Sequence, residues 1–338
     1  MDLLDQVIQT YSGTWLQLES CVGGVVSVAG VNGSVALRTV DPVACISAEG
    51  FLLSFALMVG MGIFTFLASA VTNNDSWVDR LWSISPVVFS WTLFVSNVVA
   101  AGGKFRADSP GFAFCVLVTL WGCRLTYNFY RRGGYKKGGE DYRWAHVRSW
   151  PIFRSRITWF VFSFFVVSVF QSWLLWAITV PVQTLPVNSA LSIPDTIFLG
   201  GFMFFLALET LTDQHQWEFQ SEKRFLLPRR AGVDYDLGFC VDGVFAFSRH
   251  MNVWSEQSIW LMVWFAGAAH KGTLSDPMAL GAVVLVALTI GSTTLTEKLS
   301  SKKYPEYKLY QQTTPMLIPT IRSTERLTKS LIARKKNE

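Results

Sequence analysis

Four polar residues at helical spacing are the first candidates for binding chemistry in this sequence. They recur at i, i+3, i+4 and i+7, which places them along one side of a helix: Arg124, Tyr127, Asn128 and Arg131. Guanidinium, amide and hydroxyl groups arranged in this way could bind an anion. The same spacing would arise if the two arginines only extend their charged ends to lipid headgroups. Spacing alone leaves both interpretations open.

The loop after this helix is rich in glycine and lysine. Residues 133–139 read GGYKKGG, and Arg143 follows shortly after them. Glycine lets backbone amides approach phosphate oxygens, and lysine supplies the opposite charge. A cytosolic loop of a membrane protein would have the same basic composition without binding phosphate.

Two further helix faces carry acidic and amide groups that could bind other parts of a nucleotide. Glu209 and Asp213 could accept hydrogen bonds from ribose hydroxyls or an adenine amine, or could pair with the basic loops. Asn252 and Glu256 are spaced i to i+4, so an amide and a carboxylate project side by side, shortly after Arg249. Such a pair can hold a carboxamide, because Glu accepts from its amine while Asn both donates and accepts.

The composition indicates which kind of fold must position these residues. Hydrophobic residues make up 51% of the 338 residues, charged residues only 16%, and the mean hydropathy is +0.32. Soluble domains carry about 25% charged residues. An all-α polytopic membrane protein is therefore predicted. Since a span takes about 20 helical residues, the apolar runs predict a seven-helix transmembrane bundle with spans at residues 50–71, 81–101, 110–129, 157–181, 194–212, 251–269 and 277–296.

The distribution of basic residues predicts how the chain crosses the membrane. Lysine and arginine accumulate in the loops between the third and fourth and between the fifth and sixth spans, and in the C-terminal tail. Such loops face the cytosol, which makes the N-terminus lumenal and the C-terminus cytosolic. Three regions are predicted: a lumenal segment 1–45, the transmembrane domain 46–319 and a basic cytosolic tail 320–338.

The tail also suggests a compartment. Lys335 and Lys336 are fourth and third from the end, which resembles the dilysine retrieval signal of endoplasmic reticulum membrane proteins. The five cysteines have no metal-ligand spacing, so no metal site is predicted. No nucleic-acid-binding module is recognisable either, and the predicted partners are the lipid bilayer and a lipophilic small molecule.

Four sequence blocks together resemble a known family. They are NNDSWVDRLW at 73–82, LWGCRL at 120–125 with GGEDYRW at 138–144, FSRHMNVWSE at 247–256, and EKLSSKKYPEYKLYQQTTPMLIP at 297–319. Over residues 73–319 the chain resembles the DUF1295 family, which is similar to the steroid 5-alpha-reductase family. The resemblance implies a seven-helix bundle that binds NADPH from the cytosolic side. It also implies reduction of a carbon-carbon double bond in a lipid-soluble substrate, steroid-like or enoyl-lipid.

The resemblance assigns roles to particular residues. Asn252 and Glu256 match the pair that holds the nicotinamide carboxamide in the reductases. Tyr304 and Tyr307 belong to a tyrosine block that closes over the nucleotide. The adenosine and the phosphates would be held by basic and polar groups, for which the matching or nearest candidates are Arg124, Asn128, Arg131, Arg143, Asp213 and Arg249.

The implied reaction also needs a proton donor. Hydride transfer to the beta carbon of an enone-like lipid develops negative charge on an oxygen, which requires an acid in a dry pocket. Asp79 and Tyr127 are the candidates, and a buried carboxyl would have a raised pKa. If Asp79 pairs with Arg80 or Arg124 instead, its role is structural.

The chain departs from the family pattern at three positions of one block. The family reads Ser-Arg-His-Pro-Asn-Tyr-x-Gly-Glu, whereas this chain has Met251, Val253 and Ser255 in place of proline, tyrosine and glycine. Two alternatives stay open. This altered stretch favours a non-catalytic membrane scaffold that binds lipid. The other alternative is an S-adenosylmethionine-dependent methyltransferase of lipids or isoprenoids, because membrane methyltransferases that resemble isoprenylcysteine carboxyl methyltransferase carry a related Arg-His-Pro block.

Overall fold

The computed structural model describes residues 50–225, 235 and 237–320, and every regular element within them is helical. The predicted lumenal segment 1–45 lies outside the described residues. The predicted tail also lies outside them from residue 321 onward, including Lys335 and Lys336.

Eleven α-helices occur in the described ranges. They are α1 Gly50–Thr72, α2 Trp77–Leu81, α3 Ser85–Ala100, α4 Pro110–Arg131, α5 Tyr142–Arg148, α6 Arg156–Phe162, α7 Gln171–Ala177, α8 Ile193–Phe225, α9 Met251–Lys271, α10 Ala279–Lys303 and α11 Tyr307–Thr313. A π-helical segment, Ser163–Phe170, joins α6 to α7, and short 3₁₀ turns lie at Pro151–Phe153, Val180–Thr184 and Gly243–Ala246.

The predicted class, a polytopic membrane protein made of helices, is confirmed. Five helical segments of the described chain are long and apolar enough to cross a membrane: α1, α4, the run Arg156–Thr184, α8 and α10. The count of seven spans is not confirmed. α3 has only 16 residues, because a turn separates it from α2. α9 has 21 residues, but polar side chains such as Asn252, Glu256 and Gln257 lower its hydropathy.

The chain divides into two compact units, and the first contains the described residues 50–199 and 263–282. In this unit α1 packs against α3, α7 and the π-helical segment, and α3 packs against α4. The buried face of α1 is made mostly of small or polar residues, namely Gly50, Ser54, Met58, Gly62, Thr65 and Ser69. Large apolar residues of the same helix are exposed, among them Leu57, Ile63, Phe64 and Leu67. This arrangement is typical of helices that pack closely inside lipid.

A tryptophan lies at the centre of the first unit. Trp176 is fully buried, and its indole N–H donates to the Ser54 hydroxyl over 2.9 Å. Phe51 and Phe55 meet its ring edge to face, with centroids 4.9 and 5.3 Å away. The indole thus packs as an apolar group while its one donor is satisfied.

The second unit contains the described residues of 200–262 and 283–320. Its aromatic core brings the tyrosines of α11 against the segment before α9. Phe239 and Val241 form one buried cluster with Tyr307 and Tyr310, and the Tyr310 hydroxyl donates to the Phe245 carbonyl. The C-terminal block is therefore part of this unit's core.

Helix packing in the first unit predicts an effect of adding one methyl group. A side-chain carbon at Gly281 of α10 would overlap the carbonyl group of Ala177, whereas one at Gly291 of the same helix would meet nothing within 4 Å. We expect Gly281→Ala to destabilise the protein by about 1–3 kcal/mol through overpacking. Gly291→Ala should be neutral or stabilising by up to about 1 kcal/mol, since alanine has the higher helix propensity. Thermal unfolding of detergent-purified protein measures both, and equal shifts would contradict this packing.

Candidate functional site

In the first unit, the segment around α2 holds the glycine-rich loop. The Arg80 guanidinium donates to the Gly134 carbonyl over 3.3 Å and to the Gly139 carbonyl over 3.0 Å. The Asn74 amide also donates to the Gly139 carbonyl, over 2.9 Å, and the Tyr135 hydroxyl donates to the Arg80 carbonyl. The sequence blocks at 73–82 and 138–144 are therefore one structural element.

The glycines of this loop allow tight turns. Gly133 and Gly138 have φ of 85° and 78°, and a Cβ at Gly139 would lie 2.9 Å from the Gly133 carbonyl oxygen. The amides of Gly133, Gly134, Lys136 and Gly139 all donate to carbonyls of the loop or of the last turn of α4. These amides therefore close the loop, and the geometry gives the glycines a structural role.

An ion pair between the half-buried Arg148 and the buried Asp75 joins the same segment to the helices that follow. Arg148 donates to Asp75 over 2.5 Å and to both oxygens of Glu140. Asp75 is only 4% exposed and also accepts from the Ser163 hydroxyl over 2.7 Å. The predictions from sequence did not include these residues. The signal that could have found them is a carboxylate next to an apolar run, where an unpaired charge is costly.

The predicted anion-binding face lies on the last turns of α4. Asn128 is buried and Tyr127 is 60% exposed, and the Arg131 guanidinium lies 5.3 Å from the Tyr127 ring centroid. A surface cavity of about 330 Å³ is lined by Tyr130, Arg131, Tyr135 and Lys136. The end of α4 therefore combines cationic and aromatic groups in one place.

Asp79, a predicted acid, lies on α2 in the same unit. It accepts a hydrogen bond from the Trp144 indole over 2.9 Å. Burial raises the pKa of Asp79 above its ordinary value, although the nearby Arg143 guanidinium opposes this. Arg143 itself binds Asp141 with two hydrogen bonds of 2.8 and 3.1 Å. The raised pKa is the property that a proton donor would need.

In the second unit, Glu297 on α10 is the centre of a buried polar network. Arg249 binds it with two hydrogen bonds of 2.6 and 3.0 Å, and the side chains of both are 7% exposed. The His250 ring and the Gln311 amide add contacts of 2.9 and 2.8 Å to its two oxygens. The sequence analysis placed Glu297 at the start of the fourth family block but assigned it no role in the site.

This network fixes the start of α9 against the C-terminal block. The remaining Arg249 nitrogen donates to the carbonyls of Gln311 and Thr314. The backbone amides of Arg249 and His250 donate to the carbonyls of Pro315 and Met316 over 3.0 and 3.1 Å. Arg249 thus positions the chain, and its predicted contact with a nucleotide phosphate stays a prediction.

The Asn252 and Glu256 side chains lie one turn apart near the start of α9, and both are half-buried. The Glu256 carboxylate accepts from the Trp260 indole over 2.9 Å. Ser255 between them is fully buried, and its hydroxyl has no hydrogen-bond partner in the described ranges. This turn therefore carries an amide and a carboxylate that are half-buried and a hydroxyl that is fully buried.

The remaining candidates of the second unit lie on α8 and near α11. Asp213 is 6% exposed, beside the buried Glu209 one turn earlier. Burial raises the pKa of Tyr307, and the nearby Glu297 carboxylate acts in the same direction. The Tyr304 hydroxyl accepts from the Lys223 ammonium over 2.8 Å.

The predicted site residues divide between the two units. The first unit holds Asp79, Arg124, Tyr127, Asn128, Arg131 and Arg143, and the second holds Asp213, Arg249, Asn252, Glu256, Tyr304 and Tyr307. Within the first unit the structure brings Asp79 and Arg143 together. Within the second it brings Arg249 to the C-terminal block.

The ion pair of Arg148 in the first unit leads to a stability prediction. Arg148→Ala would leave the buried Asp75 carboxylate without its ion-pair partner, so we expect a loss of about 2–3 kcal/mol and a fall in Tm of roughly 3–6 °C. The control is Arg106→Ala, which removes an ion pair with Asp108 of 2.8 Å whose side chains are 53% and 55% exposed. That change should cost less than about 1 kcal/mol. Similar Tm values for the two variants would contradict a structural role for Arg148.

Comparison with known proteins identifies the family but no activity. Residues 65–314 match DUF1295, described as a protein of unknown function. An uncharacterised protein of Schizosaccharomyces pombe is 36% identical over 285 residues, which cover 80% of this chain and 79% of that protein. No solved structure gives a significant match. The family match covers most of the chain, including the first three sequence blocks and the fourth as far as residue 314, and the chain therefore belongs to the DUF1295 family.

Proposed function

We propose that the protein is a membrane-embedded reductase that uses NADPH to reduce a carbon-carbon double bond of a lipid-soluble substrate, as the similarity of its sequence blocks to the steroid 5-alpha-reductases suggests. The observation that carries this proposal is the Asn252 and Glu256 pair on the first turns of α9, held by the Arg249 and Glu297 network. An amide and a carboxylate one turn apart suit the two ends of a carboxamide.

The polar groups of this turn fit a nicotinamide. Glu256 would accept from the carboxamide N–H, and Asn252 would donate to its carbonyl oxygen. The buried Ser255 hydroxyl lacks a partner in the described part of the chain, so a polar ligand would satisfy it. Serine replaces the family's glycine at this position, and it therefore adds a hydrogen-bonding group rather than an apolar obstacle.

Rigid support is what such a site needs. A catalytic turn must hold its groups within about 0.5 Å of the productive geometry. Here the family's proline before Asn252 is replaced by Met251, which removes the fixed start of the helix. Hydrogen bonds from Arg249 and His250 to residues 311–316 hold the start of α9 in place without the proline. They support the proposal that the altered block keeps its cofactor-binding geometry.

NADPH, when bound, would supply a hydride for the substrate double bond. The chain must then orient the nicotinamide, exclude water and donate a proton. Asp79 stays the candidate donor from the sequence, and burial raises its pKa within the first unit. The exposed apolar side chains of the spanning helices support a substrate that arrives from the bilayer.

Binding measurements test the cofactor proposal. We expect detergent-purified protein to bind NADPH, and Glu256→Gln to weaken binding by about 10- to 100-fold, because a charged hydrogen-bond acceptor is lost. Glu218→Gln is the matched control, since Glu218 is exposed on α8 and bonds only to Gln214 among the described residues. Its affinity for NADPH should stay within twofold of the wild type.

Three results would count against the reductase. Binding of S-adenosylmethionine without NADPH would favour a methyltransferase. Binding of neither cofactor would favour a non-catalytic scaffold. Equal NADPH affinity in Glu256→Gln and Glu218→Gln would remove Glu256 from the site.

We further propose that the protein resides in the endoplasmic reticulum with a lumenal N-terminus and a cytosolic C-terminus. The excess of basic residues in alternate loops supports this orientation. Replacing both Lys335 and Lys336 by serine should release the full-length protein to later secretory compartments, as seen by fluorescence microscopy. Retention of this double variant would show that the tail is not a retrieval signal.

A further inference from the structure

Two lysines converge on one tyrosine at the edge of the second unit. The Lys223 ammonium at the end of α8 donates to the Tyr304 hydroxyl over 2.8 Å and lies 4.8 Å from the centroid of its ring. The Lys303 ammonium, from the end of α10, lies 5.2 Å from the same centroid. Two positive charges are thus held around a single phenol.

The backbone at Gly238, beside this cluster, leaves room for the Lys223 ammonium and the Tyr304 ring. Lys223 also donates to the Gly238 carbonyl over 2.5 Å. Gly238 has φ of 82°, and a side chain there would come within 2.8 Å of the Tyr304 ring. The ring also packs on Phe239, with centroids 5.6 Å apart. The position of the Tyr304 phenol is therefore set by the core on one side, while its hydroxyl stays near the surface.

No carboxylate of the described residues neutralises the positive charge of this cluster. Neither Lys223 nor Lys303 forms an ion pair with a carboxylate among residues 50–223 and 237–320, where side chains are described. Burial alone would raise the pKa of Tyr304, yet the two ammonium groups lower it. The local field therefore favours negative charge at this place.

The cluster also has hydrogen-bond donors that could bind an anion. An ammonium group has three N–H donors, and Lys223 directs two of them to Gly238 and Tyr304. Tyr304 accepts one of these bonds, so its own O–H is left as a donor. Together with Lys303, the cluster offers at least three donors to an oxyanion.

Lysines at the ends of helices often only offset the helix dipole. Lys302 is an example, since it is exposed in the last turn of α10 and forms no side-chain hydrogen bond, ion pair or ring contact among the described residues. Lys303 and Lys223 differ because both lie against the same aromatic ring. Lys302 is therefore a matched control for the helix-end effect.

We propose that Lys223, Lys303 and Tyr304 form a binding site for a phosphate monoester, and that this site selects NADPH over NADH by binding the 2′-phosphate. A phosphate monoester carries about two negative charges near neutral pH and several acceptor oxygens, which match two ammonium groups and a phenol. The identification of the ligand as the 2′-phosphate rests on the proposed function. The phosphate monoester of a lipid headgroup has the same chemistry.

The test uses the full-length protein and three kinds of probe: NADPH with NADH, adenosine 2′-monophosphate, and nanodiscs with or without phosphatidic acid. We expect Lys303→Gln to weaken binding of NADPH and of adenosine 2′-monophosphate about tenfold and binding of NADH less than twofold. Lys302→Gln should change each affinity less than twofold. Both lysines are exposed, so neither change should prevent folding.

The outcomes separate this inference from the proposed function. Loss of phosphatidic acid binding alone in Lys303→Gln supports the phosphate site with a lipid as its ligand. Binding of adenosine 2′-monophosphate by a wild type that binds neither dinucleotide supports the phosphate site and contradicts the reductase. Equal effects of Lys303→Gln and Lys302→Gln on every probe would overturn the phosphate site, whether or not NADPH binds.

Discussion

The buried pair of Arg249 and Glu297 is the constraint on which the second unit depends. Both charged groups are almost completely removed from solvent, and an unpaired charge there would cost several kcal/mol. The pair is satisfied only if α10, the segment before α9 and the block around Gln311 meet at one point. Separate sequence blocks are therefore linked by a single electrostatic requirement, and the turn that carries Asn252 and Glu256 follows directly from it.

In the first unit, arginine side chains also join segments that are distant in the sequence. Arg148 joins Asp75 and Glu140, while Arg80 holds the carbonyls of the glycine-rich loop. In both units an arginine from one block satisfies buried acceptors of another. Arginine suits this purpose because its planar group offers five donors in fixed directions. The cations of this protein are thus of two kinds: arginines bonded to buried acceptors, and lysines such as Lys303, which lies against an aromatic ring and is proposed to bind a ligand.

The spanning helices show how the bilayer constrains packing. Large apolar side chains of α1 are exposed, and small ones face the interior, where they allow close helix contact. Apolar burial therefore does not distinguish inside from outside as it does in water. Close packing of small residues and specific polar contacts, such as the bond between Trp176 and Ser54, help to set the arrangement of these helices. The proposed reductase chemistry also needs polar groups behind an apolar surface, because a lipid-soluble substrate must reach them from the bilayer.

The sequence by itself determined the class of fold, since several apolar runs of about 20 residues with few charges indicate membrane helices, and it determined the family through four short blocks. It also predicted helical spacing correctly, as the contact of Arg131 with Tyr127 shows. Only the tertiary structure decided which charged residues bind one another. Arg249 and Glu297 are 48 residues apart, and no local pattern joins them. Hydrogen bonds act over about 3 Å in space, so the partners of Arg80, Arg148 and Arg249 became known only once the helices were placed.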